Sequence, residues 1–162
     1  MAKNILSMLL IAGASLLCVA GTAFAADVPS AMVGTWKLNV DKTQWNGPPA
    51  LKSYTVTITN AGSGKVKDVA QWVETDGTPG QIEYTVSLDG TPGPVSGYPN
   101  ADIVKMKMGK GNWLHMSLLK GGKRVEWGRY KVSTDGKTLK AKEGGSDEKG
   151  NKYRWDEVFE RQ

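Results

Sequence analysis

Few side chains in this sequence could do covalent or metal chemistry. His115 is the only histidine and Cys18 the only cysteine. Ser117 falls on the strand face of His115, but a hydrolytic triad also needs a carboxylate that orients the imidazole. No Gly-x-Ser-x-Gly turn is present to expose a serine. One histidine and one cysteine cannot build a transition-metal site of the usual nitrogen and sulfur kind. Asp147-Glu148, followed by Lys149, is too sparse for a calcium loop. The expectation is a non-enzyme with no metal and no cofactor.

Two charges stand in apolar company. Arg129 shares a strand face with Val125 and Trp127, and Glu157 shares one with Tyr153, Trp155 and Phe159. Two such faces turned to a core would force the charges to pair, because an isolated buried charge is too costly to keep. An internal Arg129–Glu157 pair is one expectation. A bulge that turns either residue to solvent is the other. The six tryptophans, Trp36, Trp45, Trp72, Trp113, Trp127 and Trp155, stand beside Tyr54, Tyr84, Tyr98 and Tyr130. Together they suit a ligand-lining surface or a packed core. Trp45 and Tyr98 lie in Gly/Pro-rich stretches and are the candidates for contact at a rim, since loops carry function more often than core does.

These groups must be held by residues 26–162. The first twenty-five read as a secretory signal: Lys3 gives the positive start, Ile5 to Ala20 the apolar stretch, and Ala23-Phe24-Ala25 a small-x-small cleavage site. The apolar run is short for a membrane span and no basic stop-transfer cluster follows. The expected address is periplasmic or secreted, with Cys18 lost on cleavage and a fold that uses no disulfide. Setting Lys3 aside leaves twenty of the twenty-one Lys plus Arg against sixteen Asp plus Glu. The bases alternate along strands rather than forming a block, as a solvated face does. Nucleic acid is therefore not an expected partner.

Past the signal no helical period survives. Apolar and polar residues alternate at period two, with Gly, Pro, Asn and Asp between the runs, which predicts an all-β chain. Strands are expected over 34–40, 52–59, 65–74, 81–88, 103–108, 112–119, 123–133, 137–143 and 151–161. Val66 and Val69 fall on opposite faces, which suggests a bulge in the third. The Gly/Pro-rich stretch from Asp89 to Asn100 is expected to be a loop. Gly121-Gly122 and Asp135-Gly136 are hairpin signals. Short connections favour a single antiparallel up-and-down β-barrel of about eight to ten strands, after an N-terminal signal helix.

The ends of the chain carry a resemblance. Val33-Gly34-Thr35-Trp36-Lys37-Leu38 resembles the first-strand motif of the calycin superfamily, which includes lipocalins, fatty-acid-binding proteins, avidins and small bacterial metalloprotease inhibitors. Val158-Phe159-Glu160-Arg161 is similar to the closing strand of the fatty-acid-binding branch. The chain is also similar to uncharacterised exported bacterial proteins that carry Gly-Thr-Trp-Lys-Leu-Asn. The resemblance implies a lipocalin-like barrel in which Gly34 and Trp36 close one end and a basic residue, Arg161 or Arg129, lies over the indole. It departs from the fatty-acid binders where their carboxylate clasp would be: Glu157 and Phe159 stand in place of an arginine and a tyrosine.

Two functions fit this reading. The first is a carrier or sensor that holds a small apolar or amphipathic molecule among Tyr54, Val56, Ile58, Tyr84, Val86, Met106 and Met108, with Arg129 and Glu157 as polar contacts. The second is a protein-binding module, such as a periplasmic protease inhibitor, with a solid barrel and working rim loops. The expected state is a monomer.

Overall fold

The computed structural model describes residues 28–47, 50–146 and 150–162. The expected signal peptide and the Asp147-Glu148-Lys149 run lie outside the described residues. Eleven strands follow in order: β1 (Gly34–Leu38), β2 (Gln44–Asn46), β3 (Leu51–Gly62), β4 (Lys65–Glu74), β5 (Pro79–Ser87), β6 (Gly93–Ser96), β7 (Ile103–Met108), β8 (Leu114–Lys120), β9 (Lys123–Val132), β10 (Thr138–Ser146) and β11 (Lys152–Arg161). All form one sheet, and β1 pairs with both β3 and β11. The result is a closed antiparallel barrel of ten strands, as the alternating pattern predicts. Closure removes the free edges that an open meander would expose. Among the described residues no helix is long and apolar enough to cross a membrane.

The eleventh strand, β2, was not anticipated. Among the described residues it pairs only with β11, Trp45 opposite Trp155, just beyond the stretch of β11 that β1 occupies. A 3-10 turn at Val40–Lys42 separates β1 from β2, capped by the Asn39 side chain on the Lys42 amide. The two strands are thus one wall segment broken by a turn. Among the described residues β2 has no ladder to the start of β3, so the wall is unzipped there.

Other differences have local causes. The bulges lie in β3, at Lys52 and Ala61, and β4 runs straight. β4 keeps its register because Asp68, rather than Val69, takes the inner position between Val66 and Ala70. The expected 89–100 loop contains the short strand β6, which pairs through only two residues on each side. Pro94 fits there because its side chain is exposed and its ladder is minimal.

One end is closed by the motif at the start of β1. Trp36 is fully buried and donates its indole N–H to the Met32 carbonyl at 2.9 Å. The Arg161 guanidinium lies 4.2 Å from the ring centroid. It also donates to the carbonyls of Gly136 at 2.7 Å and Val33 at 2.8 Å, and to Ala31. Gly34 is required at this point: its φ is +141°, and a Cβ would stand 2.5 Å from Arg161 Nη1. The core continues from Trp36 through Leu38, Phe159 and Leu139.

Candidate ligand-binding site

The inner face of the barrel is read from the cross-strand registers. One row runs Tyr153, Gly145, Glu126, Leu118, Val104. The next runs Trp155, Glu143, Gly128, Met116, Met106, and the third Glu157, Ala141, Tyr130, Leu114, Met108. On the opposite wall Asp68 faces Tyr84 and Ile58, and Tyr54 faces Trp72. Four carboxyl groups therefore point inward: Asp68, Glu126, Glu143 and Glu157.

The interior holds a cavity of about 460 Å3, within the range of roughly 300–1,000 Å3 usual for small-molecule sites. Its walls are apolar and aromatic, with Asp68, Glu126 and Glu143 set among them and Glu74 near one end. Among the described residues no Lys, Arg or His lines it. At the end away from Trp36, the lining residues Glu74, Tyr98, Asn100, Ser146 and Tyr153 are half-buried. Leu139 and Phe159, toward the closed end, are buried.

Two tyrosines are bent over glycines to reach the acids. Tyr130 crosses Gly128 and donates to Glu143 Oε1 at 2.5 Å, with Met116 Sδ 3.5 Å from its oxygen. Tyr153 spans Gly145 and donates to Glu126 Oε2 at 2.6 Å. A Cβ at Gly128 would collide with the Tyr130 hydroxyl, and one at Gly145 would come within 2.7 Å of the Tyr153 hydroxyl. Around the acids the rings meet edge to face. Tyr54 packs against Trp72 at 6.0 Å and Phe159 at 5.2 Å, Trp72 against Tyr98 at 5.7 Å. Tyr153 stacks on Trp155 at 4.6 Å.

Burial raises every one of these acids. Loss of hydration pushes Asp68 from 3.8 up to about 7, against a favourable interaction with the Tyr84 hydroxyl. Glu143 rises from 4.5 to about 8 through burial and the nearby Glu126, opposed by its bond from Tyr130. Glu126 is raised by burial, opposed by Tyr153 and Tyr98. Glu157 is raised well above 4.5 by burial, then by Glu143 and Glu126. Neither Glu157 oxygen has a hydrogen-bond partner.

The sequence candidates divide clearly. Tyr54, Val56, Ile58, Tyr84 and Met106 line the cavity, and so does Tyr98. Val86 is buried beside Val66, and Met108 is half-buried opposite Leu114; neither reaches the cavity. Trp45 is half-buried with its ring 5.2 Å from Trp155. The Arg129–Glu157 pair does not form. Arg129 lies on the outer face opposite His115 and Lys142, with its guanidinium 5.5 Å from the Trp113 ring centroid. Its Nε has no hydrogen-bond partner, and Glu157 is on the inner face but, like Val86 and Met108, is not among the residues that line the cavity. The bulge alternative holds for Arg129: β9 carries one extra residue, Val125, between the partners of Leu118 and Leu119, and this sets the phase of the strand. His115 is exposed on the outer face and Ser117 is half-buried there, both outside the cavity.

Sequence reasoning missed Asp68, Glu126, Glu143 and Tyr153 as site residues, whereas Tyr130, named with the other tyrosines for a ligand-lining surface, does line the cavity. The signal of the missed residues is an acid or tyrosine inside an otherwise apolar alternation, as in Val66-x-Asp68-x-Ala70 and Leu139-x-Ala141-x-Glu143.

No protein-family model matches the chain, and no curated protein is similar to it. Solved structures are similar to it to different degrees. The crystal structure of Rv2717c from M. tuberculosis is 14% identical over 82% of this chain and 94% of that one, with a TM-score of 0.51. A de novo designed fluorescence-activating β-barrel is 12% identical over 85% and 99%, with a TM-score of 0.47. EF1p2_mFAP2b bound to DFHBI is 13% identical over 82% and 94%, with a TM-score of 0.41. At these identities the likeness is one of fold alone: the chain is a closed antiparallel β-barrel.

Proposed function

We propose that this protein is a non-enzymatic, exported β-barrel that holds a small apolar or amphipathic molecule in its lumen. The observation that carries the reading is the interior cavity of about 460 Å3, walled by aromatic and apolar side chains with a few convergent polar groups. That combination is the usual composition of a ligand pocket. The solid-barrel alternative, a protein-binding module, calls for a lumen filled by large side chains. Trp36 fills only the closed end. The non-enzymatic reading rests on the surroundings of the acids. Their neighbours are tyrosines, methionines and each other, and none of them activates a nucleophile. Export to the periplasm or beyond rests on the N-terminal sequence alone.

The test is native mass spectrometry on protein purified from its own periplasm, with thermal shifts against a panel of neutral, anionic and cationic amphiphiles. A copurifying small molecule, or a saturable shift with a panel member, is the expected result. A bare mass together with no shift across the panel would overturn the proposal.

A further inference from the structure

The ligand chemistry can be narrowed from the charges inside the barrel, an inference that rests on the carrier reading above. We infer that the lumen selects a cationic amphiphile: a small molecule with a protonated amine on an aromatic or alkyl body.

Four side chains with negative charge to offer, Asp68, Glu126, Glu143 and Glu157, project from β4, β9, β10 and β11 onto one interior. No basic residue lines that interior among the described residues. The ion pairs of the described residues, Lys42–Glu160, Lys67–Glu83 and Lys142–Asp156, are all at the surface. An acid is usually buried with a cation or a full set of donors. Glu143 has one tyrosine donor, Glu126 interacts with the hydroxyls of Tyr153 and Tyr98, and Asp68 with that of Tyr84. Glu157 has none: it is 1% exposed and both its oxygens are unpartnered, and it lies on the inner face behind the cavity wall, between Trp155 and Phe159, which line the cavity where Glu157 itself does not. An ammonium brings donors and a positive charge and no acceptor, which is what this set lacks.

The rest of the cavity suits the same class. Tyr54, Trp72, Tyr98, Tyr153 and Trp155 present rings around the acids, and a cation is attracted to such faces. A bare metal ion fits less well: no group of three or more potential ligands converges among the described residues. A carboxylate ligand would meet like charge.

Proton balance gives the reading a second signature. At neutral pH an acid held near 8 carries its proton. An ammonium that pairs with it displaces that proton to solvent, so binding releases protons as the ligand enters.

The experiment is isothermal titration of the full mature protein at about pH 8 and low salt with three matched probes: 4-phenylbutylamine, 4-phenylbutanol and 4-phenylbutyrate. The amine is expected to bind about tenfold or more tightly than the alcohol, since charge-assisted hydrogen bonds are roughly twice as strong as neutral ones. The butyrate should be weakest. Repeating the amine titration in buffers of different ionisation enthalpy should reveal proton release. Glu143→Gln should bring the amine down toward the alcohol, and a cooperative urea melt of the variant shows that its barrel is folded. Alcohol or butyrate binding as tightly as the amine would overturn cation selection and leave the carrier reading standing. Binding by none of the three would count against both.

Discussion

Asp68→Asn is the sharpest single test of the interior electrostatics. Asp68 is 5% exposed, and burial carries its carboxyl from 3.8 to about 7. A raised carboxylate acts in a definite direction. Below about pH 4 both the folded and unfolded chains hold the proton, and the group adds no pH dependence. Between that value and about 7 the unfolded chain has lost the proton and the folded chain keeps it. Stability then falls as pH rises, by about 1.4 kcal/mol per pH unit. The full difference is about 4 kcal/mol, reached above the folded value and absent in acid. Asparagine has nearly the same shape, retains an acceptor toward Tyr84 and does not titrate in this range. Urea unfolding of both proteins at about pH 4, 5, 6, 7 and 8 should therefore give curves that converge in acid. They should separate by up to about 4 kcal/mol in base, with the variant the more stable. Parallel curves would refute the reasoning, because they would mean that Asp68 is not desolvated in the fold. A residual fall in the variant is expected from Glu143, Glu126 and Glu157, which shift in the same direction.

Three further outcomes follow from the same structure. Affinity for 4-phenylbutylamine should rise by up to about tenfold per pH unit between about pH 6 and 8 and flatten above, because pairing needs the acids ionised; titration across that range checks it, with Asp68, Glu126, Glu143 and Glu157 as the acids and Tyr54, Tyr84, Tyr98, Tyr130 and Tyr153 held un-ionised throughout. Gly34→Ala should destabilise the barrel by about 2–3 kcal/mol in urea melts, since its φ of +141° and the Arg161 Nη1 atom 2.5 Å from the added Cβ both oppose it. Arg161→Ala should cost about 2–4 kcal/mol by the same assay, because the carbonyls of Ala31, Val33 and Gly136 lose a charged donor and Trp36 loses its cation.

The fold was legible because its signals are local. Period-two alternation with Gly, Asn and Asp between runs predicts β4 and β7 at their observed bounds and the antiparallel order of most of the barrel. The closed end was expected from the resemblance that the Gly-Thr-Trp start and the last strand carry, which left Arg161 and Arg129 as candidates for the cation over Trp36; Arg161 is the one that lies there. The site was less legible, and β9 shows why. Val125 and Trp127 look like the inner set, since apolar residues usually face the core. The bulge at Val125 leaves Glu126, Gly128 and Tyr130 facing in instead. Trp127 lies half-buried on the outside, where a Cβ at Gly144 would stand 2.8 Å from its ring. Hydrophobicity alone selects the wrong face of a strand whose inner face is polar by design. The pairing expected for Arg129 failed for the same reason, since it was drawn from that face.

The two ends of the barrel treat polar groups differently, and the contrast bears on function. At the closed end polar atoms are satisfied: Arg161 meets three carbonyls and a ring, and the Trp36 N–H meets Met32. In the lumen the acids are raised, crowd one another and are incompletely partnered. An amide at Asp68 would remove a destabilisation of about 4 kcal/mol at neutral pH, a large part of a typical domain's 5–15 kcal/mol. Buried acids perturbed in this direction cluster at binding and catalytic sites. Gly128 and Gly145 add to the argument. Glycine weakens a strand interior, yet both sit where they let Tyr130 and Tyr153 lie down onto Glu143 and Glu126. A barrel selected only to close on itself would place β-branched residues there and apolar ones at the acids. The same positions instead hold an acid-and-tyrosine set around an open volume, an arrangement that a cationic guest would complete.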